Sequence, residues 1–137
     1  NVMITKDDGV KVMDFGVARQ AKEALTKVSM TNTVVGTPPY MAPEQEQGSV
    51  RRESDVFALG VVLYEIVCGQ LPFAGMGAGM LLNKINGRHE PLCGRGVSDL
   101  PTGLDAVVAK ALIPDPEKRY RTAGELLAAL EELKASA

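Results

Sequence analysis

The chain has 137 residues, 45% of them hydrophobic and 23% charged, an ordinary balance for one globular domain and unlike that of a disordered segment. Fifteen Lys and Arg against 17 Asp and Glu leave a formal net charge of −2. No basic excess is available to track phosphates, so nucleic acid is not expected as a partner. The two cysteines, Cys68 and Cys93, are far apart with no Cys-x-x-Cys spacing. That argues against a disulfide framework or a zinc site and fits a reducing compartment, the cytoplasm.

The first residue is Asn1, and neither a signal peptide nor an Arg-rich transit sequence precedes the first strand-like run. The expectation is a sequence that begins inside a longer product. Val2-Met3-Ile4-Thr5 and Val10-Lys11-Val12-Met13 flank a turn ending in Asp8-Gly9, a pattern that predicts a short β-hairpin. From Asp14 to about Val50 no period persists, and Thr, Gly and Pro accumulate. Irregular stretches of such length inside a domain are usually functional or disordered.

Residues 53–134 read as helices between Pro/Gly loops. The spacing predicts a helix over 54–68, with Ser54 as N-cap, Asp55 at the positive end of the dipole and Gly69 just past the end. Glu65 is the one charge in its otherwise apolar body, so it should be a core axis; it is too short to cross a bilayer. A weaker helix is expected over 76–85. Leu104, Val107, Val108, Ala111 and Leu112 form a helical stripe that Pro114 and Pro116 should stop. The last helix should open on the capping box Thr122-x-x-Glu125 and place Leu126, Leu127, Leu130 and Leu133 on one face. His89, between Arg88 and Glu90, reads as a solvated surface residue, and Cys68 as core filler.

Three motifs stand in register. Asp14-Phe15-Gly16 follows the second strand. Gly36-Thr37-Pro38-Pro39-Tyr40-Met41-Ala42-Pro43-Glu44 closes the irregular stretch. Asp55-x-x-x-x-Gly60 lies on the apolar helix. With these the sequence resembles the eukaryotic-type protein kinase family over essentially its whole length. Asn1-Val2-Met3-Ile4 is similar to the end of the catalytic-loop motif H-R-D-x-x-x-x-N, with Asn1 as its last residue. The stretch from Leu71-Pro72-Phe73 to Asp115-Pro116-Glu117-Lys118-Arg119 is similar to bacterial members of the Ser/Thr branch.

The resemblance implies a fold that is mainly α with a short β-hairpin, the C-lobe of a two-lobed α+β parent. Residues 1–137 would then be a partial kinase domain, with the activation segment at 14–44 and the helical core at 53–134. It implies transfer of the ATP γ-phosphate to Ser or Thr of protein substrates, with Asp14 and Asn1 holding Mg²⁺ and so binding the nucleotide. Thr37 would contact the catalytic Asp and, with Gly36, shape the substrate pocket. Glu44 would pair with Arg119 in a buried ion pair, and Asp55 would accept hydrogen bonds from the catalytic-loop backbone. Ser29, Thr31 and Thr33 are the phosphorylation candidates in the activation segment.

The Gly-rich loop, the strand Lys, its Glu partner and His-Arg-Asp, all upstream of Asn1 in the family, have no counterpart in the sequence. Truncation explains that one-sided pattern better than decay, so the parent kinase should supply the missing N-lobe while this chain alone should be inactive. The sequence contains no membrane segment, and a cytoplasmic kinase domain is expected whether or not the parent is membrane-anchored. The alternative is a non-catalytic pseudokinase or helical protein-interaction module.

Overall fold

The computed structural model describes residues 2–12 and 38–136. The chain divides into two compact units between Gly36 and Thr37. In the first, β1 (Val2–Ile4) and β2 (Val10–Val12) pair antiparallel in the register Val2↔Val12, Met3↔Lys11, Ile4↔Val10. Thr5 closes the turn twice over: its N–H donates to the Gly9 carbonyl at 2.7 Å, and its Oγ1 accepts the Gly9 N–H at 2.9 Å. A Cβ on Gly9 would lie 2.8 Å from that same Oγ1, so only glycine permits this approach. Asp8 takes the positive φ, +59°, a conformation that Asp tolerates better than most residues.

The second unit is helical. After a 3₁₀ turn at Pro38–Tyr40 come α1 (Pro43–Glu46), α2 (Arg52–Cys68), α3 (Ala78–Ile85), α4 (Leu104–Ala111) and α5 (Ala123–Ser136). Further 3₁₀ turns occur at Leu92–Arg95 and Pro116–Lys118. None of the described helices is long and apolar enough to cross a membrane.

Helix α2 is the axis. Phe57, Val61 and Tyr64 enter one core cluster with Ala42, Phe73, Met80, Leu92, Leu104, Val108 and Leu112. Val56 enters a second cluster with Val107, Ala111, Tyr120 and Leu126. The α4 stripe is buried as its spacing predicts, and Ala111 closes on Gly60 of α2. Gly69 ends α2 at φ +76°, its N–H donating to the Glu65 carbonyl at 2.7 Å.

Three expectations are corrected. Helix α2 begins at Arg52, so Ser54 stands inside the first turn rather than at the cap. Its hydroxyl accepts the Arg51 N–H at 3.1 Å and donates to Glu44 at 2.6 Å, and that second bond draws it inward. The far side of α2 is only partly covered by the described residues: Ile66 is 75% exposed and Leu59 37%. Leu127 of α5 is 55% exposed, because it sits about 100° around the helix from buried Leu126. Leu130 and Leu133 do pack inward. Helix α3 starts only at Ala78, after Gly77 at φ +57° breaks the expected run.

The α2–α4 contact yields a direct test. A Cβ at Gly60 would sit 2.8 Å from the Ala111 Cβ and 3.1 Å from Leu112 Cδ2. Gly60→Ala should therefore destabilise the intact protein by about 1–3 kcal/mol through overpacking, despite alanine's better helix propensity. A lower urea midpoint with unchanged m-value is the expected outcome.

Candidate functional site

The chain from Pro38 to Ser49 is short and half-polar, yet set into the core at residues 41–43. Met41 and Ala42 are buried, and Pro43 opens α1 at a position where its missing N–H is not needed. The Gln45 side chain accepts the Ala42 N–H at 3.3 Å, and the Ser49 N–H donates back to the Glu44 carbonyl at 2.8 Å. The segment thus folds on itself and presents Glu44 inward.

Arg119 meets it from the far end of the sequence. The Pro116–Lys118 turn is capped by Asp115, whose carboxylate accepts the Glu117 N–H at 3.0 Å, and Arg119 then turns into the interior. Its guanidinium is bidentate on Glu44, Nη2 to Oε1 at 2.7 Å and Nη1 to Oε2 at 2.8 Å. Its other bonds reach the carbonyls of Ile113 at 2.6 Å, Pro114 at 3.1 Å and Glu53 at 3.1 Å. An Arg side chain has five N–H donors, and these five bonds use every one of them. The group lies 4.9 Å over the Phe57 ring, and Phe57 in turn stacks on Phe73. Burial alone would push the Glu44 carboxyl up, but the bonds from Arg119 and Ser54 outweigh it and hold the carboxyl below its ordinary value.

Asp55 lies on the first turn of α2, beside Ser54 in sequence, and partial burial pushes its carboxyl up. The catalytic-loop backbone expected to bond it is not among the described residues. Asn1, Asp14, Ser29, Thr31, Thr33, Gly36 and Thr37 also lie outside the described residues. Among the described residues, no group of three or more His, Cys, Asp or Glu is placed to hold a metal ion.

Three further residues are missed by sequence reasoning. Lys84 of α3 is fully buried, its Nζ donating to the Met41 carbonyl at 2.8 Å and to Glu46 Oε2 at 2.9 Å. Burial pulls its pKa down, against the pull of Glu46. Its spacing of one turn from buried Met80 is the only sequence signal, and the neighbouring Leu82 and Ile85 mask it. Tyr40 donates to Glu65 at 2.6 Å, which explains the one charge in the apolar helix and pushes the phenol up. Asp105 accepts the N–H groups of Leu92 at 2.6 Å and Cys93 at 3.2 Å, pinning the Leu92–Arg95 turn to α4.

His89 is a correction. It packs edge-on against Phe73 and Tyr64, ring centroids 5.6 and 6.1 Å away, with Nδ1 buried and unpartnered among the described residues. Two aromatic rings, which its charged neighbours in sequence do not reveal, draw it inward. Burial lowers its pKa, with Asp105 opposing and Arg95 assisting.

The order of motifs and this fold define a class. Residues 1–129 match the protein kinase domain family, and the chain belongs to it. Its mainly helical body with a short antiparallel hairpin is that of a kinase C-lobe. Among individual relatives, the chain is 44% identical over 132 residues to serine/threonine-protein kinase PknB of Mycolicibacterium smegmatis, covering 95% of this chain and 21% of that protein. Against PknB of Mycobacterium tuberculosis the identity is 43% over 132 residues, with 95% and 21% covered. Against the probable serine/threonine-protein kinase CE0033 of Corynebacterium efficiens it is 40% over 142 aligned positions, with 100% and 22% covered. The chain therefore spans about a fifth of the length of the relatives it matches.

Two measurements follow from this geometry. Removing either Glu44 or Arg119 strands a buried charge and should destabilise the intact protein by about 3–5 kcal/mol. The double replacement should cost clearly less than the sum of the singles in a denaturant cycle. The second concerns acid. His89 has a lowered pKa in the fold, so its stabilising contribution is present above its ordinary value of 6.5 and is lost as pH falls below it. Glu44, also lowered, loses its contribution only as pH falls below 4.5. His89→Phe should remove the first decline, read as urea midpoints at about pH 7.5 and about pH 5.5, and leave the second.

Proposed function

We propose that this chain is the C-lobe portion of a serine/threonine protein kinase of bacterial type, which transfers the γ-phosphate of ATP to Ser or Thr hydroxyls of protein substrates. The observation that carries the reading is the unbroken order of motifs from Asn1 through Asp14-Phe15-Gly16 and Gly36–Glu44 to Arg119, within a chain that belongs to the protein kinase family. The bidentate Glu44–Arg119 pair supports it, because it fixes the end of the segment on which a substrate would be laid.

In this reading residues 14–44 are the activation segment of a partial kinase domain and 53–134 its helical core. Asp14 and Asn1 offer a carboxylate and an amide oxygen, the hard donors that suit Mg²⁺, and are the cofactor-binding residues of this chain. Bound Mg²⁺ would neutralise charge on the phosphates of ATP. Gly36 and Thr37 line the substrate pocket, with Thr37 supporting a catalytic Asp contributed from elsewhere in the parent. Ser29, Thr31 and Thr33 are candidates for phosphorylation that orders the segment. Asp55 steadies the catalytic loop from the start of α2. The kinase domain acts in the cytoplasm, on protein substrates. None of the 137 residues matches the Gly-rich loop or the phosphate-pairing Lys, so the isolated chain is expected to be inactive.

Asp14→Asn tests the reading in the intact kinase. Loss of an anionic metal ligand should lower phosphate transfer to a Ser/Thr peptide by orders of magnitude while the thermal transition stays in place. Near-normal transfer by that variant would overturn the role of Asp14. Failure of the intact wild-type protein to phosphorylate any peptide with ATP and Mg²⁺ would favour a non-catalytic module.

A further inference from the structure

Residues 41–46 are held by two buried cations that arrive from different parts of the fold. Arg119 is itself locked by three backbone carbonyls and the Phe57 ring. Lys84 comes from α3, a helix of another kind. Both its ends carry glycines at positive φ, Gly75 and Gly77 before it and Gly87 after it. Only Met80 and Lys84 of this helix are buried, whereas Leu82 and Ile85 are exposed. A fully buried ammonium needs partners, and Lys84 spans from α3 to both ends of the segment, the Met41 carbonyl and the Glu46 carboxylate.

A charge-assisted bond in the interior is short and directional. An apolar side chain of the same length would fill the space without fixing Met41 and Glu46 relative to α3. We infer that Lys84 is a positioning residue: it sets residues 41–46 in register with helix α3, and the proposed substrate-pocket residues Gly36 and Thr37 come shortly before them in sequence. Displacing α3 therefore displaces the segment's α3-facing side, while Arg119 keeps the Glu44 side fixed. This rests on the kinase reading only where it names the substrate. The structural coupling stands on the bonds from Lys84 to Met41 and Glu46.

The experiment uses the intact kinase with Lys84→Met, an unbranched apolar side chain of similar volume and one atom shorter, and with Glu46→Gln, which keeps an acceptor but removes the charge. Backbone hydrogen exchange is followed over 41–47, and over α2, α4 and α5 as controls. The expected result for Lys84→Met is exchange about tenfold faster, equivalent to about 1.4 kcal/mol, confined to 41–47. KM for a Ser/Thr peptide should rise while KM for ATP holds. Glu46→Gln should give the same pattern more weakly, and the double variant should add little to Lys84→Met. Unchanged exchange over 41–47, or acceleration spread evenly over all helices, would overturn the inference. Should Lys84→Met fail to fold, Glu46→Gln alone decides, by the same confinement to 41–47. A wild-type protein without phosphate transfer would remove the kinase reading, and the exchange pattern would still decide the coupling.

Discussion

A guanidinium in the interior has to be satisfied at every N–H, and in this chain that requirement organises the helical unit. Arg119 draws in the carboxylate of Glu44, the carbonyls of Ile113 and Pro114 just beyond α4 and the carbonyl of Glu53 at the start of α2. Four pieces of chain separated by up to 75 residues are thereby fixed around one planar group. Hydrophobic burial supplies the larger driving force, through Phe57, Val61, Tyr64 and their partners, but it is indifferent to orientation. The directional bonds decide which way the 38–49 segment faces the core. Ser54 completes the arrangement by donating to the same carboxylate, so the start of α2 and the end of the segment share one acceptor.

The features legible in the sequence are those set by near neighbours. The hairpin turn follows from Asp8-Gly9, the end of α2 from Gly69, and the buried side of α4 from its own period. The features hidden from it are set across distance. Lys84 and Glu46 are 38 residues apart, and no local pattern makes a lysine between Asn83 and Ile85 an interior residue. His89 sits between an arginine and a glutamate and looks solvated until Tyr64 and Phe73 are seen beside it. Ser54 has the composition of a cap, but a carboxylate ten residues earlier claims its hydroxyl. Leu127 has the residue type of the core and the wrong angle for it.

The candidate site is legible for a different reason. Glu44 and Arg119 are joined by a family resemblance and not by any period, since nothing in their spacing brings them together. The structure supplies what resemblance leaves out: the bidentate geometry, the three carbonyls and the ring beneath. The residues proposed for metal and substrate, Asn1, Asp14, Gly36 and Thr37, lie outside the described residues and rest on motif order.

The turn that Asp105 caps has a bearing on covalent chemistry. Cys93 is an exposed, free thiol, the position at which an alkylating reagent would be expected to act first. Yet the neighbouring Asp105 carboxylate pushes the thiol up from its ordinary value, so less of it is thiolate at neutral pH. Since the thiolate is the nucleophile, accessibility and reactivity part company at this residue. The same carboxylate that fastens the Leu92–Arg95 turn to α4 thus quiets the more accessible of the two cysteines.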